Sequence, residues 1–541
     1  MARQWIGSDQ GAQPALLPVD ARDLLPAGHV AFDVIGLVGG FDLSGFAAAY
    51  RADGVGRPPF APRLLLTLVV YCNSKGMRSS RQIAAACHDD LGARMITGNR
   101  YPDRATIDRF VTGHGAAIQA LLPQTLRMGY AEGLVDVSVI AGDGTKVLAS
   151  AAMHATTDEA GLTARITDLQ QQIDTTETLW QHQIVAETTG APAHHTAPLF
   201  DPPDTPDTPG PVGVVDGRSR PVTGSAAGTA AGTAAGTWRR LGALRTLLRT
   251  RQAALAYLLT HPNTDVIEWA DRLERDQARV QGRVEALTRT RAKIQARHDR
   301  RAAAEAAGAR IPGTRPVPVE DHTEVRAARK ALTAAVTRAE TTATQRPTTS
   351  RINTTDPGSR IMPGKHDGYD QRHNIQAMAC PNQFILAVTD HPNSNDKQAL
   401  TTLITTTRTN LDHAGITDPI GTSLHDSGYA SEANLTADLP VANLLIAVER
   451  EARQTGRLHD GTSTAATAWQ HMADHINQPD NRTLYQQRSG IIEPLFAQLF
   501  QRFGRHLNHR GEHVLTELHL WAVTHNLLKI RRHHHKTRPP T

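Results

Sequence analysis

Apolar residues fall at two different periods along this chain, and the change between them divides it. From Ala61 to about Leu134 the period is helical. Leu64, Leu65, Leu68 and Val69 form one stripe, and Ile83, Cys87 and Leu91 form another, at the intervals of three and four that one helix face requires. Between the stripes lies the basic turn Lys75-Gly76-Met77-Arg78-Ser79-Ser80-Arg81, where Ser80 is expected to cap the next helix. In TGNRYPDRATIDRF, Thr106 or Asp103 is expected to open another. Short helices joined by basic turns suit a helix-turn-helix reader of DNA, with Arg78, Arg81 and Arg104 facing phosphates. They suit a plain helical bundle as well, and the pattern does not separate the two.

Val135 to Val147 changes to a period of two, rich in β-branched residues, and predicts a strand with Asp143 at or near the end of its apolar part. Helical spacing then returns. Leu162, Ile166, Leu169 and Ile173 mark a polar helix from about Asp158 to Glu187. A Pro-, Thr-, Gly- and Ala-rich stretch near 199–236 is expected to be a disordered linker. From Trp238 to about Ala307 the pattern is long charged helix, with Leu273, Val280, Val284 and Leu287 near heptad spacing and a break at His261-Pro262. These two arms are expected to pack as one antiparallel hairpin. A proline-rich loop follows from Ile311 to Pro318, then helix from Val325 to Glu340.

After Asp356-Pro357-Gly358 the strand signals resume. HNIQAMAC and FILAVTD read as a β-hairpin. Asn395 or Asp396 is expected to cap the helix KQALTTLITTTRTNL. A short strand leads into Asp426, and ANLLIAV forms another. A long helix carries Ile492, Leu495, Phe496, Leu499, Phe500 and Phe503, with Glu493 near its start as judged from Pro494. The resulting division is an N-terminal helical domain at 1–134 and a first core strand at 135–150. A helical insertion occupies 151–350, the rest of the core 351–530, and a basic tail 531–541. The fold class is multidomain α plus α/β.

Composition adds limits. At 541 residues the chain is too long for one small core. Its pI of about 9.2 makes a polyanion a plausible partner, although a net charge of +5 spread over this length is weak evidence. Cys72, Cys87 and Cys380 are the only cysteines. No CxxC pair occurs, which argues for a reducing compartment and against a cysteine-built zinc site. The longest apolar run, Leu64 to Val70, is too short to span a bilayer, so a cytoplasmic protein without membrane contact is expected.

Three carboxylates stand in segments that suit metal-dependent phosphodiester chemistry: Asp143 in VIAGDGTKV, Asp426 in SLHDSGYAS and Glu493 in SGIIEPLFAQLF. Each has a plainer reading. DG and DSG are common turns, and a glutamate before proline is a favourable charge at a helix start. Asp356 in Asp-Pro-Gly is a rival acid or a turn. His425 beside Asp426 is one histidine, not a cluster. Asn374 and Gln376 share one face of a strand and either line a channel or pair across a hairpin.

The chain resembles an insertion-sequence transposase of the DDE class, closest to the eleven-eighty-two family. The stretch from PPFAPRLLLTLVVYC to ATIDRF resembles that family's N-terminal domain. AGDGTKV, TDPGSRIM with GYDQRHNIQ, NDKQAL, HDSGYAS and RSGIIEPLFAQL resemble its later segments in order. The resemblance implies a ribonuclease H-like mixed-sheet core interrupted by the helical insertion. It implies a catalytic triad of Asp143, Asp426 and Glu493 that holds two Mg²⁺ ions, with Mn²⁺ as a substitute. It also implies binding to double-stranded DNA at transposon ends and target, a homo-oligomer on DNA, and a bacterial, nucleoid-associated setting. Arg360, Lys365 and Arg488, beside the acidic segments, would then hold phosphates. The GYDQRHNIQ segment looks longer than the family pattern, and the insertion is extended by its linker. Two alternatives stay open: a nuclease without strand transfer, and an inactive, transposase-derived DNA-binding protein.

Overall fold

The computed structural model describes residues 22–47, 50, 59–189, 234–260, 264–308, 316–347, 350–364, 368–448 and 464–537. The chain divides into two compact units. One comprises Met1–Ala155, Asn263–Thr348 and Thr355–Thr541; the other comprises Thr156–Pro262 and Thr349–Thr354. Most of the expected linker near 199–236, up to residue 233, lies outside the described residues, as does Lys365.

The larger unit opens with eight helices: α1 Val30–Gly39, α2 Ser44–Ala47, α3 Pro62–Ser74, α4 Ser80–Asp89, α5 Leu91–Thr97, α6 Arg104–Gly113, α7 Gly115–Gln119 and α8 Leu121–Ala131. Their starts follow local chemistry. Pro62 sits in the first turn of α3, where its missing N–H costs nothing. Ser79, one residue before the expected Ser80, caps α4, and Gln82 closes the capping box. Asp103 caps α6 by accepting the Thr106 N–H at 2.7 Å.

A mixed sheet follows, with β1 Val139–Leu148 near its centre. In this unit are also β4 Arg360–Pro363, β5 Tyr369–Ala379, β6 Ile385–His391, β7 Thr422–His425 and β8 Asn443–Ile446. The order is β4-β5-β1-β7-β8, and β6 pairs with β5. β1 runs antiparallel to β5, with Asp143 opposite Ala377, and parallel to β7, with Ala141 opposite Leu424. β7 in turn runs parallel to β8. The expected hairpin is β5–β6. The expected strand at 135–147 begins later and runs on past Asp143, which therefore lies inside β1; it is β7 that stops beside it.

The later helices of this unit are α11 Thr264–Ala306 and α12 Thr323–Thr344, then α13 Ala399–His413, α14 Glu432–Leu435, α15 Thr464–Asn477, α16 Pro479–Phe503 and α17 His513–Thr537. α13 begins after Gln398, which makes no side-chain cap; of the two expected caps, Asn395 accepts the Lys397 N–H at 3.2 Å just ahead of the helix. α17 is buried almost continuously from Val514 to Ile530 and packs on α3, α7, α8 and β6. One apolar core therefore runs from Ala31 through the sheet to Ile530. The Asn526 side chain bonds both the N–H and the C=O of Ile385, covering the β6 edge. Arg531 to Lys536, expected as part of a separate tail, continue α17.

The smaller unit contains β2 Thr156–Asp158, which pairs with β3 Arg351–Asn353, and two long helices, α9 Glu159–Thr189 and α10 Ala234–Thr260. Leu169 and Ile173 pack on Leu241 and Leu244, and Leu162 packs with Ala254 and Leu258. The expected single hairpin of both arms is thus two hairpins. α11 pairs instead with α12, where Leu287 and Ile294 meet Val325. Each stripe needs an apolar partner of its own length, and α12 supplies the one for α11.

Candidate active site

Parallel pairing of β1 with β7 builds the site. Ala141 faces Leu424, so the residues two further along, Asp143 and Asp426, leave the paired region side by side at the same end of neighbouring strands. Asp143 Oδ1 accepts the Gly144 N–H at 2.8 Å, and Asp426 Oδ1 accepts the Gly428 N–H at 3.0 Å, which fixes both carboxylates. Arg488 on α16 lies between them, 2.9 Å from Asp143 Oδ2 and 3.8 Å from Asp426 Oδ2. Tyr485, one turn earlier on the same helix face, donates to the carbonyl of His425 at 3.0 Å and ties α16 to the end of β7.

A third acid, Asp396, lies against both segments. A Cβ on Gly144 would come within 2.6 Å of Asp396 Oδ1, and one on Gly428 within 3.1 Å of Asp396 Oδ2. The two glycines are therefore what lets this carboxylate reach the other two. Asn374 and Gln376 donate to Asp396 Oδ1 at 2.8 and 2.7 Å. Asn374 also donates to the Asn393 carbonyl at 2.9 Å, just past β6, so their shared strand face ties the hairpin to the acid. The Tyr429 hydroxyl donates to the side-chain Oε1 of Gln376 and completes the support.

This crowding of acids shows in Asp143. Burial pushes its carboxyl up to about 7; Arg488 pulls it down, and the negative charges of Asp426 and Asp396 push it up again. A cation would relieve that stress. The donors are hard carboxylate oxygens, the kind Mg²⁺ prefers, and Mg²⁺ keeps several waters of its own, so two carboxylates suffice. In that respect Asp143 and Asp426 fit the ion. Among the described residues no group of three or more His, Cys, Asp or Glu side chains is arranged to hold a metal.

Glu493 stands differently. It lies on α16 five residues after Arg488, roughly 140° around the helix from it, and it is exposed. The position one turn beyond Arg488 on the site face is the buried Ile492.

The other candidates are dispersed. Arg78 is no surface cation. It bonds the His506 carbonyl at 2.8 Å, pairs with the buried Glu517 at 3.2 Å and stacks on Trp521. Arg360 is buried and donates to the carbonyls of Pro357 and Ser359. Arg81 and Arg104 are exposed. His425 is fully buried beneath Gly142 and bonds Ser423 at 2.8 Å; burial, and then Arg488, push it down to about 3, so it is a neutral packing residue. Asp356 is buried away from the acids, bonded to His373 at 2.9 Å.

Residues 19–113 match the family model described as Transposase domain (DUF772). The match ends before β1 and covers none of the acids. No curated protein and no solved structure matches the chain. No helix among the described residues is long and apolar enough to cross a membrane.

Proposed function

We propose that this chain is a DNA transposase of the DDE class that binds the terminal inverted repeats of its element as a homo-oligomer, cuts a strand there and joins it to target DNA. The observation that carries the reading is that Asp143 and Asp426 stand side by side where the parallel pairing of β1 with β7 stops, with Asp396 against both segments. The transposase-domain match at 19–113 supports it from a separate part of the chain. The order β4-β5-β1-β7-β8 with β6 also on β5, in which β4, β6 and β1 all pair antiparallel with β5 while β1, β7 and β8 pair parallel, supports a ribonuclease H-like core.

In this reading Asp143 and Asp426 would hold Mg²⁺ or Mn²⁺, which would supply activation of the attacking oxygen and neutralisation of charge on the leaving one. The chain's own residues do the placing. Tyr485 fixes α16 against β7, and Asn374, Gln376 and Tyr429 keep Asp396 in place. Arg488, whose Nη2 lies 2.9 Å from Asp143 and 3.8 Å from Asp426, would receive the phosphate when it gives up Asp143.

The test is cleavage of a labelled element end by full-length protein, with a binding assay in parallel. Metal charge stabilisation of several kcal/mol corresponds to on the order of 10³-fold in rate. Asp143→Asn and Asp426→Asn should each lose about that much cleavage and keep binding. Glu493→Gln asks whether the family's third acid acts here, and Asp396→Asn whether the neighbouring acid does. Near wild-type cutting by both Asp143→Asn and Asp426→Asn would end the proposal.

A further inference from the structure

The two helices of the smaller unit carry opposite charge. α9 has Glu159, Asp168, Asp174, Glu177 and Glu187 against the single Arg165. α10 has Arg239, Arg240, Arg245, Arg249 and Arg251 and no acid at all. Packed side by side, such helices would be expected to neutralise one another. Among the described residues they do so once: Arg245 pairs with Glu177. Arg165, Arg240 and Arg251 instead line a groove of about 560 Å³ between the two helices. Among the described residues none of the three forms an ion pair. The one acid lining the groove, Asp168, accepts the amide of Gln172 at 2.9 Å rather than a guanidinium.

Arg251 is pushed down from the usual arginine range, first by burial and then by the like charge of Arg165. Arg165 and Arg251 line the same groove and neither forms an ion pair among the described residues, an arrangement that an anion from outside would relieve. Arg240 and Arg251 are eleven positions apart on one helix, about 16 Å at helical rise. A DNA strand offers a phosphate roughly every 3.4 Å of duplex axis, so the groove's two ends can meet different phosphates of one backbone. Gln171 and Thr175 supply uncharged polar atoms along the groove wall.

We infer that this arginine groove binds the phosphate backbone of duplex DNA, giving the insertion a DNA contact of its own. The inference rests on the proposed DNA-handling function. It commits to DNA because the cations are spaced along a line and are guanidiniums, which match phosphate bidentately.

The test uses the full chain and a labelled duplex of random sequence, with affinity measured across a salt series. Each lost phosphate contact lowers the slope of log affinity against log salt by about 0.9. The variant Arg165→Ala/Arg240→Ala/Arg251→Ala should lower the slope by about two to three, and the same three positions changed to Lys should restore most of it. Glu177→Gln/Arg245→Gln, which removes a matched pair, should leave the slope unchanged. An unchanged slope in the triple alanine variant overturns the groove, whereas the proposed function stands if that variant still cuts element ends. An unchanged slope together with lost self-association would assign the groove to the acidic α9 of a second copy, and also overturns it. A wild-type protein that binds no duplex overturns both readings. A slope that falls in the alanine variant and does not recover with lysine marks a folding defect and counts against the groove.

Discussion

At the scale of single residues, Asp143 is the group whose behaviour is most exposed to test. Its carboxyl is held up at about 7, chiefly by burial, so below that pH it keeps a proton that a metal ion held as proposed would have to displace. Magnesium affinity should therefore climb as pH rises through about 7 and level off above it. Calorimetry in buffers of different ionisation enthalpy would report the released proton, and an affinity flat from pH 5.5 to 8.5 would refute the assignment. Gly144 offers a second residue-scale test. A methyl group there meets Gln376 Nε2 at 2.3 Å and Asp396 Oδ1 at 2.6 Å, so Gly144→Ala must push Asp396 out of place. Overpacking of this kind costs typically 1–3 kcal/mol. The loss in cleavage should exceed what that stability change explains, by about the 10–100-fold typical of displaced supporting groups. Equal cleavage by Gly144→Ala and wild type at permissive temperature would remove Asp396 from the mechanism. Asp143 and Asp426 were legible in the sequence because each closes an apolar run. Asp396 was not: in NDKQAL it reads as a helix cap, and only the glycines after Asp143 and Asp426 hint that something must fit against them. Arg78 misled in the opposite direction. A basic turn looks solvated until its buried partner, Glu517, is seen 439 positions away.

Elements are positioned by clamps of which the sequence shows one side at a time. β5 is held by His373, whose two ring nitrogens lie 2.7 Å from Asp390 on β6 and 2.9 Å from Asp356 ahead of β4. Burial alone would discharge this imidazole, but Asp390 and Asp356 outweigh it and raise the ring to about 10. Because the folded value lies above the unfolded one, the stabilisation is full below about pH 6.5 and fades as pH rises through about 10. Denaturant midpoints should thus fall across that interval in the wild type, and His373→Gln should be less stable at neutral pH with a flatter profile. Parallel profiles for the two proteins would show that the clamp carries no charge. The sheet's strands and long helices were readable from apolar periodicity, since each must bury one face. Which helices pair was not, because α11 finds in α12 the complement that its own pattern does not name. Once residues 479–503 are known to form one continuous helix, the five-residue spacing from Arg488 sets Glu493 roughly 140° around it.

For the whole molecule, the decisive fact is that α17 is shared. It fills the middle of the N-terminal helices and also covers the β6 edge, so the segment 1–134 has no complete core of its own. Each of its large buried side chains, Leu518, Trp521 and Leu527 among them, contributes roughly 1.5–3 kcal/mol. A fragment ending at Leu134 should therefore lack fixed tertiary structure by near-ultraviolet circular dichroism, and supplying the α17 sequence by fusion should restore it. A native-like spectrum from the fragment alone would contradict this. The boundary drawn from the sequence at 134 marked a change of period, and a change of period is not a change of core. The same long-range wiring sets a timetable. β1 leaves the ribosome early, yet its antiparallel partner β5 lies roughly 240 residues downstream, which at about 5–20 residues per second is a wait of ~12–48 s. Through that interval both edges of the strand bearing Asp143 are bare on the nascent chain, and the helical hairpins made meanwhile need nothing from it. Synthesis itself thus asks this protein to keep a sticky strand waiting, and slowed translation between residues 150 and 370 would raise the yield of aggregate before it lowered the yield of chain.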